Sequence, residues 1–261
     1  MPLMGSRDEE RFLRGIAADQ EDEALRLVYS DWLEEQGDLR RAAWLRAEAA
    51  WFAAPRKRGR KKPGVRGIDP VWKAMAGRPP FGILRPGLAW RGGGKPPTSE
   101  QVAALEAHRG RALPPDYAAF LLLFNGGVPS LPTLTVWNVD DLGEDEDASD
   151  SGMFGCWEPE LRLYALGQED SLGKPAHWSS AADFCSSFRG VRKSDLAKLM
   201  LIGTLSYPGD PPWVNRVFLD PRSDAPAPYS QWTFSDDGRL VPDEPLVYDS
   251  FIDLISDLNP A

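Results

Sequence analysis

The residues that could support covalent, metal or phosphate chemistry are few, and their spacing does not assemble a site. The chain has two histidines, His108 and His177, and neither lies near a Gly-x-Ser-x-Gly or comparable nucleophile motif. They are expected to be a surface histidine on a helix and a loop histidine. The two cysteines, Cys156 and Cys185, form neither a Cys-x-x-Cys pair nor a framework, which fits buried thiols in a reducing compartment. The stretch GGGKPPTS (92–99) has the composition of a phosphate loop, but two prolines separate Lys95 from Thr98 and remove N–H donors that a phosphate would need. In DASDSGMFGCWE (147–158), Asp147, Ser149, Ser151, Gly152 and Glu158 fall at calcium-loop positions. The helix–loop–helix context is missing around them, because a strand pattern follows. No catalytic residue, metal or cofactor is expected; an unrecognised enzyme would instead need a concave site with perturbed titrating groups.

A different chemistry is legible in residues 140–160, which carry nine acids and no base. Asp140, Asp141, Glu144, Asp145, Glu146, Asp147, Asp150 and Glu158, with Trp137 before them and Trp157 among them, make a candidate partner-binding surface. Carboxylates steer the approach of a basic protein, and a tryptophan beside them can anchor it. The plainer alternative is a solvated loop between two strands.

The elements that must position this segment follow from periodicity. Residues 12–52 read as three helices: Phe12, Leu13 and Ile16 mark one apolar edge, Leu25, Val28, Tyr29 and Trp32 repeat at i, i+3, i+4, i+7, and a third helix runs from about Leu39 to Phe52. So short a unit buries only a marginal core and should lean on something else. A strand is expected near Phe81–Leu84. Thr98-x-x-Gln101 fits a capping box opening a helix with Val102 and Leu105 inward. In ALPPDYAAFLLLFNGG (112–127), Pro114 and Pro115 start a second helix, Tyr117, Phe120, Leu121 and Phe124 share a face, and Asn125-Gly126-Gly127 ends it. Strands then dominate, at 134–139, 161–166, 199–205, 215–220 and 231–241, the last with an Asp237-Gly238 turn signal, before a closing helix with Phe251, Leu254, Ile255 and Leu258 on one face. Helices at the ends and strands between them define an α+β class with a mostly antiparallel sheet.

Charge divides the chain. Residues 1–97 hold 19 Lys and Arg against 13 Asp and Glu, and residues 98–261 hold 11 against 26. Seven bases and no acid lie between Arg56 and Arg66, in a Pro- and Gly-containing stretch that reads as an extended linker. The functional alternative for it is a tether to nucleic acid or an anionic surface; without interleaved aromatics and in an acidic chain, nucleic acid is not the expected partner. No run of about 18 apolar residues exists, so a membrane span is not expected and the chain is read as cytoplasmic.

Two resemblances sharpen this reading. TSEQVAALEAHRG (98–110), Leu113-Pro114-Pro115-Asp116-Tyr117 through Asn125-Gly126-Gly127, LIGTLSYPGD (201–210) with NRVFLDP after it, and YDSFIDLISDL (248–258) together resemble the SUKH superfamily of Smi/Knr-like domains over residues 70–261. That resemblance implies a sheet flanked by helices and non-catalytic protein binding, often as bacterial immunity proteins against polymorphic toxins, including nucleases. It also implies that Leu113, Tyr117, Phe120, Asn125 and Gly126 are scaffold. Phe12-Leu13, Leu27 to Glu35 and Gly37-Asp38 are similar to the bacterial repeat-companion domain, which implies an accessory or docking module. The expected organisation is a small all-helical domain at 1–52, a basic linker at 53–69 and a SUKH-like domain at 70–261, whose expected partner is a basic protein, a toxin domain.

Overall fold

The computed structural model describes residues 6–55, 61–64, 66–130, 160–169, 175–178, 180, 194, 197–207, 213–220, 229–233, 246–251 and 253–254. These form an α+β protein of two compact units, one comprising residues 1–89 and 95–125, the other 90–94 and 126–261.

The first unit is helical, and short polar side chains start its helices. Ser6 accepts from the Glu9 N–H (3.1 Å) at the head of α1 (Arg7–Ala18), and Asp22 from the Leu25 N–H (2.9 Å) at α2 (Glu23–Glu35). Asp38 accepts from the Arg41 N–H (3.1 Å) at α3 (Leu39–Ala53), and Asp69 from the Trp72 N–H (2.8 Å) at α4 (Pro70–Ala76). Each satisfies an N–H that the first helical turn leaves without a partner. The expected capping box is present at α5 (Ser99–Arg109), where Thr98 and Gln101 bond reciprocally, and Gly110 closes the helix at φ 69°. Pro115 opens α6 (Pro115–Leu123), in which every residue from Tyr117 to Leu123 is buried. The expected stripe is thus a helix apolar all round, as a fully interior helix must be.

The N-terminal helices do not stand alone. Trp72 and Met75 of α4 are buried with Tyr29 of α2 and Trp44 of α3, and the Trp72 indole N–H donates to the Tyr29 hydroxyl (2.9 Å). Trp44 meets Trp72 edge-on with centroids 5.7 Å apart. Two expectations change here. Residues 81–84 are not a strand: the Ile83 N–H donates to Ala74 O (3.0 Å) and the Leu84 N–H to Gly77 O (3.0 Å), so the segment folds back on the end of α4 and its donors are spent there. The buried face of α2 is Arg26, Tyr29, Ser30 and Leu33, while Val28 is 54% exposed. The helix is rotated because Arg26 donates inward to Ala76 O (2.5 Å) and Ser30 to Ala42 O (3.2 Å).

The second unit is a meander. Strands β3 (Glu160–Leu163), β4 (Met200–Tyr207), β5 (Trp213–Leu219), β6 (Tyr229–Thr233) and β7 (Leu246–Tyr248) pair antiparallel with their sequence neighbours in the order β3-β4-β5-β6-β7. The β4–β5 register slips between Leu201 and Gly203, leaving Ile202 as an extra residue. Gly203 sits where a β-carbon would lie 2.6 Å from Arg162 O, so the close pairing of β3 and β4 requires glycine. A separate two-stranded ladder joins β1 (Ala89–Arg91) to β2 (Val128–Ser130). Phe251, in a helical turn capped by Ser250, stacks on Trp90 (6.3 Å) and packs against Tyr229 (5.9 Å), and Leu254 beside it is fully buried. The strand expected at 134–139, the Asp237-Gly238 turn, Ile255 and Leu258 lie outside the described residues.

Candidate interaction surface

In sequence, the acidic segment follows a junction at Asn125-Gly126-Gly127. At Asn125-Gly126-Gly127 the backbone takes positive φ three times running, at 51°, 86° and 109°. Asparagine tolerates that region and glycine prefers it. The Asn125 side-chain N–H donates to Lys95 O (2.6 Å). A β-carbon on Gly126 would lie 2.5 Å from the Ala165 nitrogen, and one on Gly127 would lie 2.7 Å from Arg91 O. The motif therefore lets two stretches of backbone approach where no side chain fits, and it presents no group to a ligand. Gly127 and Leu163 then exchange both backbone hydrogen bonds, at 2.8 and 2.9 Å, in an antiparallel bridge. Because that bridge is antiparallel, the chain leaves β2 and re-enters β3 at the same end of the ladder. Along β3 the described burial alternates, Leu161 and Leu163 inward and Arg162 outward. In sequence, the acidic segment lies between β2 and β3.

Trp137, Asp140, Asp141, Glu144, Asp145, Glu146, Asp147, Asp150, Trp157 and Glu158 lie outside the described residues, as do the calcium-loop positions and both cysteines. Their roles remain those read from sequence. The histidines are described. His108 is exposed on α5 as expected, whereas His177 is fully buried in a 3-10 turn, Ala176–Trp178, and not in an open loop. Among the described residues no group of three or more His, Cys, Asp and Glu could hold a metal ion, and no helix is long and apolar enough to cross a membrane.

Two polar networks inside the helical unit were not foreseen. In one, the Tyr29 hydroxyl donates to the buried carboxylate of Glu9 (3.1 Å), Arg41 also pairs with Glu9, and the Arg41 Nε donates to Asp38 (2.6 Å) while its guanidinium lies 5.0 Å from the Trp72 ring. Burial, reinforced by the Glu9 charge, pushes the Tyr29 hydroxyl well above the usual phenol range, so it stays a donor. In the other, Glu48 is 0% exposed; it accepts from the Arg78 N–H (2.8 Å) and Nη2 (3.4 Å), and the Arg26 Nη1 lies 3.8 Å away. Burial lowers the Arg26 guanidinium, Glu48 opposes that, and the Arg78 charge adds to it. Arg78 also pairs with Glu23. The sequence signal for both networks was a charged residue at i, i+3 or i+4 from an aromatic one, a pattern that hydrophobic counting passes over. Around them, the Leu-Val-Tyr-x-Asp-Trp-Leu-Glu-Glu stretch divides its labour: Tyr29 and Leu33 build the core, while Asp31 and Glu34 face outward and hold Arg46.

Along the chain, a capped helix and a Pro-started interior helix ended by Asn-Gly-Gly are followed by an antiparallel meander, an α+β order of elements. Residues 96–183 match the model of the SMI1 / KNR4 family (SUKH-1), so over roughly a third of its length the chain is similar to that family, consistent with a SUKH domain. The matched range takes in α5, α6, the Asn-Gly-Gly junction, the acidic segment and β3. It begins after the N-terminal helices. No curated protein and no solved structure matches the chain.

Proposed function

We propose that this protein is a non-catalytic protein-binding module that neutralises a polymorphic toxin as its immunity partner, with a basic toxin domain, such as a nuclease, held against an acidic surface formed by Trp137, Asp140, Asp141, Glu144, Asp145, Glu146, Asp147, Asp150, Trp157 and Glu158. The match of residues 96–183 to the SMI1 / KNR4 family (SUKH-1) carries this reading, because the acidic segment falls inside the matched range. The physical support is the charge of that segment, nine acids and no base in residues 140–160, with Trp137 and Trp157 beside them. Carboxylates gathered there accelerate encounter with a cationic partner, and the two tryptophans supply the anchors that charge alone lacks.

The test uses the full chain as bait beside a variant with the eight candidate acids changed to Asn and Gln, each washed at low and high salt. The expected result is one basic protein retained by the first and lost by the second. That protein, expressed alone, should arrest growth, and co-expression with this chain should relieve the arrest. Equal recovery by both baits places the interface elsewhere, and a captured protein without toxicity sinks the immunity role while leaving a regulatory interaction.

A further inference from the structure

Helix α2 leaves part of its apolar stripe outside the core. Leu25, Val28 and Trp32 repeat at i, i+3 and i+7, yet Val28 is 54% exposed and the other two are half-buried, while Arg26 and Ser30 are buried. The choice is costly, because the Arg26 Nε and Nη2 have no hydrogen-bond partner among the described residues. A local rule broken in this way, with apolar surface left outward, points to a face kept for another use.

The stripe continues onto α1. The Phe12 ring lies 5.6 Å from that of Trp32, and a β-carbon on Gly15 would lie 2.9 Å from the Leu25 Cδ2, so Leu25 is seated on glycine backbone. Phe12 is half-buried, like Leu25 and Trp32. Val28 stands one turn from Leu25 on one side and one turn from Trp32 on the other, which joins these side chains into one apolar strip. With Phe12 beside Trp32 and Gly15 beside Leu25, α1 and α2 run antiparallel.

That pairing places carboxylates at both ends of the strip. Asp19, four residues beyond Gly15, belongs to the Leu25 end; Asp8, four before Phe12, and Glu35, three after Trp32, belong to the other, and all three are exposed. The single base of α2 is Arg26, which is buried. On α1, Arg11 is paired with Asp8 (3.5 Å). Glu35 has no ion pair among the described residues, and Asp19 accepts from the Glu21 backbone N–H (3.2 Å).

We infer that the strip of Phe12, Leu25, Val28 and Trp32 docks an amphipathic helix of another protein that carries Lys or Arg at both ends of its apolar face. Apolar side chains at helical spacing receive the ridge of a second helix, and Phe12 and Trp32 supply aromatic anchors. Acid at each end sets the charge that the partner must bring. A second copy of this chain would set acid against acid whichever way it is turned, and a nucleic acid or an anionic membrane would meet the same repulsion. This surface is separate from the one proposed above and does not depend on it.

The test is fluorescence anisotropy of the full chain with a labelled peptide of about 18 residues, with Leu at i, i+3, i+4 and i+7 and Lys at both ends. A scrambled peptide of the same composition and one with Glu in place of Lys are the comparisons, and each should bind about tenfold more weakly or worse. V28S changes an exposed side chain and should weaken binding of the Lys peptide about tenfold, the order expected for a lost apolar contact. D19N/E35Q should also weaken it and leave the remainder less sensitive to salt. L39S removes a leucine that is 61% exposed elsewhere and should change little. The variant with the acids of the 140–160 segment neutralised should bind like the parent. Circular dichroism identifies any variant that has not folded. The inference is overturned by no binding, by equal binding of the scrambled peptide, by equal loss in V28S and L39S, or by loss in the variant neutralised at 140–160. Sedimentation that shows a dimer of the full chain, dissolved by V28S, assigns the strip to a second copy and likewise overturns it.

Discussion

Glu48 lies between two arginines, and the balance of charge around it makes its carboxylate worth more than its size suggests. Changing Glu48→Ala leaves Arg26 and Arg78 buried without their shared counter-charge, which should cost about 3–5 kcal/mol in urea unfolding, where breaking a buried pair from one side leaves an uncompensated ion. Gly126 is set by sterics instead. At φ 86°, with a β-carbon that would meet the Ala165 nitrogen at 2.5 Å, Gly126→Ala should lower stability by more than about 1 kcal/mol, whereas Gly87→Ala, also at positive φ but with nothing within 4 Å, should cost less. Burial works to raise the Asp38 carboxyl, but the hydrogen bonds from the Arg41 N–H and guanidinium outweigh it and hold Asp38 below its ordinary value. A depressed carboxyl stabilises the fold above its unfolded pKa of about 4 and loses that contribution as pH falls through the folded value. Thermal melts of Asp38→Asn should therefore differ from the parent at neutral pH and converge with it in acid. Parallel melting curves at every pH would remove Asp38 from the account of acid stability.

The Thr98–Gln101 capping box and the Pro115 start made the openings of α5 and α6 legible, whereas the caps Ser6, Asp22, Asp38 and Asp69 and the helix α4 were not anticipated. Thr98, Gln101, Pro115 and Gly110 act within a few residues of themselves, so their chemistry is visible without knowing the fold. Thr98→Ala should cost about 1 kcal/mol by loss of the cap, measured by denaturant titration. The orientation of α2 was not legible, because Leu25 and Val28 satisfy a helical period as well as Arg26 and Ser30 do. Only the carbonyl of Ala76 and the carboxylate of Glu48, 50 and 22 residues away, decide which face turns inward. The strand expected at Phe81–Leu84 failed for a related reason: an apolar run specifies burial, and the choice between strand and turn fell to acceptors freed at the end of α4. In the meander, by contrast, β3, β4, β5 and β6 overlap the strands expected at 161–166, 199–205, 215–220 and 231–241, whereas β7 (Leu246–Tyr248) lies beyond the last of them. Of the proposed surface, the charge was readable because composition alone encodes it; the Gly127–Leu163 bridge, a pairing across 36 positions, was not.

At the scale of the molecule, the helical unit draws on segments that lie far apart in sequence. Trp72, Met75 and Phe81 share a core with Tyr29, Leu33 and Trp44, so deleting residues 1–52 should leave a chain that exposes these side chains. Strong binding of a hydrophobic dye and loss of a cooperative melt are the expected signs, and a truncated chain that melts like the parent would show that α4 to α6 hold themselves together. The Gly127–Leu163 bridge has a consequence of another kind. It closes the stretch that holds the acidic segment, so the entropy of closure rises only with the logarithm of that stretch's length, by about 0.6 kcal/mol for each doubling. Lengthening the chain between Ser130 and Glu160 therefore adds little to the entropic cost of closing the Gly127–Leu163 bridge.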